Sequence, residues 1–162
     1  MTSNELVVKV ADAQVGMVGD VLVTYGLGSC VAIMLYDAKV MVGGMAHILL
    51  PSPSLAKRGA SPHKFPETAI PYVVEEMTEL GANPQRVTAR VVGGAAMFSN
   101  LVPTGSIQMG ERNLVACRKA LNVHNIPVVG EAVGGNFGRS VHFHIDTGVV
   151  SVSSVKAGAH EI

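Results

Sequence analysis

Four short apolar runs in the first fifty residues, each closed by glycine or a polar turn, limit what this chain can fold into. Leu6 to Val10, Val21 to Thr24, Cys30 to Tyr36 and Val42 to Leu50 have the length and composition of strands. Gly16 and Gly19-Asp20 supply turns between the first two. Tyr25 to Ser29 is a glycine loop, and Asp37 to Lys39 turns the third run back towards the fourth. Pro51 and Pro53 end the fourth, because proline has no N–H for a sheet ladder.

Past Pro51 the pattern changes. Residues 51–65 mix Pro, Ser, Lys, Arg and Gly and read as an exposed, mobile loop. A helix starts near Pro66, since a proline in the first turn removes only an N–H that has no helical partner. Pro71 lies at the margin of that allowance. Ile70, Val73, Val74, Met77 and Leu80 recur at helical spacing, and Gly81 ends the helix with Pro84 beyond it. Val87 to Val92 is a strand running into Gly93-Gly94. A second helix from about Gly110 to Val123 sets Leu114, Cys117 and Leu121 on one side. Pro127 to Val133 is another strand, and Arg139 to Ile145 with Val149 to Val155 form a last hairpin around Asp146-Thr147-Gly148. The expectation is one α/β domain over residues 1–162, with a mostly antiparallel sheet and two main helices.

Composition narrows the function classes. Of 162 residues, 48% are hydrophobic and 15% charged, a balance that buries a core and excludes a disordered chain. The formal net charge is zero and the basic residues are scattered, so no concentrated cationic face is expected to bind nucleic acid. Met1 to Asp12 lacks the marks of a signal peptide, and no apolar stretch reaches the ~18 residues of a membrane helix. The expectation is a cytoplasmic protein whose two cysteines, Cys30 and Cys117, are free thiols.

Chemistry concentrates at Gly26-Leu27-Gly28-Ser29-Cys30 and Gly43-Gly44-Met45-Ala46-His47. A symmetric hairpin turning between Ala38 and Lys39 sets Cys30 opposite His47, with Cβ atoms ~4.5–5.5 Å apart on one sheet face. An imidazolium at that distance lowers a thiol pKa and makes a nucleophile of it. Gly26, Gly28 and Ser29 then form a loop whose backbone N–H groups a substrate carbonyl can approach, an oxyanion hole in effect. The plainer reading is a small buried cysteine and a satisfied core histidine.

Other motifs fall away on inspection. Ser29 lacks the glycine two residues on that a nucleophile elbow needs, since Val31 stands there, and the same valine breaks a dinucleotide fingerprint after Gly26-x-Gly28. Asp146-Thr147-Gly148 occurs once, where a hairpin needs a turn. His142 and His144 share a strand face but have no clear third metal ligand. Cys117 reads as core, and His63, His124 and His160 as loop residues in solvent.

The sequence resembles the CheD family of chemoreceptor glutamine deamidases. The resemblance rests on Gly26-Leu27-Gly28-Ser29-Cys30-Val31 and on Gly43 to Pro51. It continues through Glu67-Thr68-Ala69-Ile70-Pro71, Gly93 to Phe98, Gly110-Glu111-Arg112-Asn113 and Gly134-Gly135-Asn136 with Arg139. It implies an α/β sandwich related to bacterial toxin deamidases, with no metal or cofactor. It further implies Cys30 as nucleophile, His47 as base and Thr24 as a third member. The substrate would be glutamine side chains in the cytoplasmic domain of methyl-accepting chemotaxis receptors, and a CheC-type phosphatase would be a partner. Two departures stand out: Phe65-Pro66-Glu67 replaces the family's Tyr/Ala/Asp run, and residues 51–65 match weakly. A transglutaminase or cysteine peptidase would use the same pair, and a non-catalytic module that regulates the phosphatase is the remaining alternative.

Overall fold

Two five-stranded sheets lie face to face, with both helices on the outer side of one of them. The computed structural model describes residues 3–97 and 108–162. The strands are β1 (Asn4–Val7), β2 (Ala13–Gly16), β3 (Asp20–Leu27), β4 (Val31–Asp37), β5 (Val42–Ile48), β6 (Thr88–Gly93), β7 (Val128–Val133), β8 (Arg139–His144), β9 (Val149–Ser154) and β10 (Gly158–Glu161). The helices are α1 (Pro66–Glu79) and α2 (Met109–Val123). The first sheet runs β1-β3-β8-β9-β10 and the second β2-β5-β4-β6-β7.

Most neighbouring strands are antiparallel, as the hairpin signals predict, but each sheet has one parallel pair. β6 and β7 are parallel because α2 carries the chain back between them. β1 and β3 are parallel because the chain crosses to the second sheet as β2 and returns. The sequence reading missed β2 and β10, each of four residues with no apolar run.

β4 is buried at every position because both of its faces are covered. Val31, Ile33 and Leu35 pack under the helices with Ile70, Val73, Met77, Leu114, Cys117 and Leu121. Ala32, Met34 and Tyr36 face the other sheet, against Leu22, Phe143 and Val150 among others. Each fully buried large side chain stabilises the fold by about 1.5–3 kcal/mol. α1 begins at Pro66 and continues through an exposed Pro71. It stops at Gly81, whose φ of +104° suits the cap formed when the Ala82 N–H donates to Met77.

Gly43 and Gly44 mark where β5 is gripped from both sides. A Cβ on Gly44 would lie 2.4 Å from Val73 Cγ1 of α1, and one on Gly43 would lie 2.7 Å from Ile145 Cδ1 and 2.9 Å from the Phe143 ring. Residues 51–64 are a mixture of exposed and half-buried positions, and the segment's end is fastened: the N–H groups of Leu49 and Leu50 both donate to the Lys64 carbonyl, and Phe65 is buried.

Candidate active site

The site forms where the two sheets meet at the ends of β3, β4 and β5. In β3 a bulge places one extra residue between Thr24, which pairs with Val141, and Leu27, which pairs with Arg139. Strict alternation would turn Thr24 and Leu27 to opposite faces, but the bulge sends both inward and leaves Tyr25 and Gly26 outside. Gly26 has φ +65°, the left-handed conformation such a bulge calls for. It lines a cleft of about 580 Å³ on the outer side with Phe137, Arg139 and Lys156.

Thr24 meets His47 across the sheets, Oγ1 to Nδ1 at 2.8 Å, and both residues are buried. The threonine hydroxyl donates its only proton to the Val8 carbonyl at 2.7 Å. The imidazole must therefore supply the proton of the 2.8 Å bond from Nδ1, which leaves Nε2 with a free lone pair. Nε2 is buried and has no hydrogen-bond partner among the described residues. The crossover from β1 to β2 also grips the His47 backbone, whose carbonyl accepts from Ala11 and whose N–H donates to Asp12.

Cys30 does not lie directly opposite His47. The true pairs are Ala32 with His47 and Val31 with Ile48, a register displaced by two from the expected one, because residues 38–41 make a four-residue turn with Met41 at φ +53°. The displacement is even, so the sheet face is kept: Cys30 is half-buried and packs in the same intersheet core as Ala32, Met34 and Met45. Its carbonyl accepts from the Gly94 N–H at 2.9 Å, and a Cβ on Gly93 would fall 2.3 Å from that carbonyl oxygen. The Gly28 carbonyl accepts from Ala95 at 2.9 Å, so the loop hangs on the turn after β6. Gly28 is packed closely by Met97, and the half-buried Ser29 lends its carbonyl to Asn113.

Burial favours the neutral form of both groups. Burial raises the Cys30 thiol above its ordinary value, and burial lowers the His47 imidazole, the Val8 carbonyl opposing the second effect. A thiolate–imidazolium pair would shift both groups the other way. These directions lend no support to the expected activation by a preformed imidazolium.

Other sequence candidates have plainer places. Cys117 is fully buried on the inner face of α2, and its thiol is pushed well up by burial. His142 stacks edge-on against Tyr25 at 6.1 Å. His63 is not free in solvent but stacks on Tyr72 at 4.3 Å, while His124 and His160 are exposed. Asp146-Thr147-Gly148 is the β8–β9 turn, with Gly148 at φ +75°. Arg139 holds the β7–β8 loop by donating to the Gly134 carbonyl at 2.8 Å. Phe98, in the run from Gly93, lies outside the described residues.

Fold and site together define an α/β sandwich with a cysteine on a glycine loop and a threonine-held histidine on the same sheet face. A family model described as CheD chemotactic sensory transduction matches residues 49–154. A Caldanaerobacter subterraneus protein named probable chemoreceptor glutamine deamidase CheD is 40% identical over 162 residues, the whole of both chains. A Geobacter metallireducens protein named probable chemoreceptor glutamine deamidase CheD 2 is 45% identical over 84% of this chain and 85% of its own. The chain belongs to the CheD family. The crystal structure of the Neisseria meningitidis protein NMB0706 shares the fold, with TM-score 0.50 and 13% identity over 83% of this chain and 63% of that one.

Proposed function

We propose that this protein hydrolyses the side-chain amide of selected chemoreceptor glutamines to glutamate, with Cys30 as nucleophile, His47 as base and Thr24 as the group that orients His47. The names of the relatives support the reaction, and one observation carries the assignment: Nδ1–H of His47 is bonded to Thr24, while Nε2 is unpartnered on the face it shares with Cys30. A fixed tautomer with an available lone pair is what a general base requires.

Burial that favours the neutral thiol and the neutral imidazole gives the order of events. Substrate binding brings the amide to the thiol, and the Cys30 proton passes to His47 Nε2 as sulfur attacks the glutamine Cδ. The N–H groups of Gly28, Ser29 and Cys30 donate to no backbone acceptor among the described residues and are available to hold the oxyanion. Protonated His47 gives its proton to the departing nitrogen, so ammonia leaves and a thioester remains. His47 then takes a proton from water, hydroxide attacks the thioester, and glutamate is released as the thiol is restored. We place this chemistry on the receptor's cytoplasmic helical domain, with a CheC-type phosphatase as binding partner. Among the described residues, no helix is long and apolar enough to cross a membrane.

The test incubates the protein with a receptor cytoplasmic domain and maps Gln-to-Glu conversion by mass spectrometry alongside ammonia release. Cys30→Ala should abolish both, and Cys117→Ala should leave them intact. Conversion by the Cys30→Ala protein would sink the assignment.

A further inference from the structure

Asn113 is the polar exception on the buried side of α2. It is fully buried, and its Nδ2 donates to the Ser29 carbonyl at 2.9 Å and to the Leu49 carbonyl at 3.2 Å. Ser29 immediately precedes Cys30, and Leu49 lies two residues beyond His47. One amide therefore ties the loop that presents the thiol to the strand that carries the imidazole. Both partners are carbonyl oxygens, so only the NH2 end of the amide can face them.

The sheet itself does not make this connection. The β4–β5 ladder ends at Val31 with Ile48, so Cys30 and Leu49 lie one step past the last paired residues. The Gly94 N–H holds the Cys30 carbonyl from the β6 side, and no ladder bond holds it from the β5 side. Asn113 spans that gap. Packing gives no reason for an asparagine here, because its Oδ1 is buried without a partner among the described residues. An apolar side chain would leave no such orphan acceptor. The two donated bonds are what an apolar side chain cannot supply.

We propose that Asn113 is a positioning residue that sets the separation of Cys30 Sγ and His47 Nε2 by bracing the carbonyls of Ser29 and Leu49. The proposal rests on the reading that Cys30 and His47 carry the hydrolysis. Asn113 acts through those residues, so its loss should lower kcat and leave receptor binding alone.

The experiment measures kcat, KM and Tm for the full chain on a receptor cytoplasmic domain, with Asn113→Ala, Asn113→Asp and Cys30→Ala in parallel. Asn113→Ala should lower kcat about 10–100-fold, the scale of a small misplacement of reacting groups, with KM nearly unchanged. Asn113→Asp keeps the shape and donates only when its carboxyl is protonated. Its kcat relative to the parent should therefore fall as pH rises within the range where Tm shows the variant still folded, which separates lost positioning from a lost fold. Should Asn113→Ala fail to fold, the pH trend of Asn113→Asp decides. An unchanged kcat for Asn113→Ala, a rise in KM alone, or a flat ratio for Asn113→Asp overturns the proposal, provided Cys30→Ala is inactive. An active Cys30→Ala protein overturns the underlying reading instead.

Discussion

Replacing Thr24 with valine keeps the branch at Cβ and removes one hydroxyl that serves two buried partners. Oγ1 accepts from His47 Nδ1 at 2.8 Å and donates to the Val8 carbonyl at 2.7 Å. Each buried polar group left unpaired costs about 1–3 kcal/mol, so two orphans bound the loss at about 6 kcal/mol. The bound is not reached, because the Val8 carbonyl already draws on the imidazole and the two orphans can pair with each other once the ring shifts. The expected loss is then about 1–3 kcal/mol, which for a domain of this size lowers Tm by about 2–12 °C. On the proposed mechanism the same ring shift moves Nε2 away from Cys30 Sγ, and a displacement near 1 Å costs about 100-fold in kcat. Thr24→Ser keeps the hydroxyl and should restore most of the rate. Thermal denaturation and single-turnover deamidation of a receptor domain measure the two effects. A Thr24→Val protein with parental kcat and Tm would refute the argument. So would a Thr24→Ser protein as slow as the valine variant, since the methyl group and not the hydroxyl would then matter.

Iodoacetamide should alkylate Cys30 in the folded free protein with a rate that rises only above the ordinary thiol pKa of ~8.5, because burial raises the group and no imidazolium opposes it. Cys117 should stay unmodified until the protein unfolds, and a Cys30 midpoint below ~7 would reveal a preformed ion pair instead. Gly44→Ala should lower stability by about 1–3 kcal/mol through overpacking against Val73, with partial recovery when Val73→Ala is added; an unchanged Tm for the single variant contradicts the contact geometry.

The sequence was most legible where one element decides its own pattern. Ile70, Val73 and Met77 fall on one face of α1, and Leu114, Cys117 and Leu121 on one face of α2, as their spacing requires. The β4–β5 hairpin was legible as a hairpin but not in register, because the left-handed Met41 lengthens the turn by two residues. That error preserved the shared face of Cys30 and His47 only because it was even. β2 escaped notice since its pairing with β5, and not any apolar run of its own, makes it a strand. The Thr24–His47 bond joins two sheets, so no local pattern could indicate it, and Thr24 came from family resemblance alone. Asn113 left a readable trace: an amide four residues before Cys117 falls on the apolar stripe of α2, where a polar side chain calls for an explanation.

Gly43 and Gly44 impose an order on evolutionary change. Residue 44 can gain a side chain without strain only in a lineage where Val73 has already become smaller, and residue 43 only where both Phe143 and Ile145 have already moved. The reverse order passes through an overpacked, less stable intermediate. Divergence along the strand that carries His47 is therefore contingent on α1 and on the end of β8. Substitutions that are tolerated in one descendant background would be rejected in another.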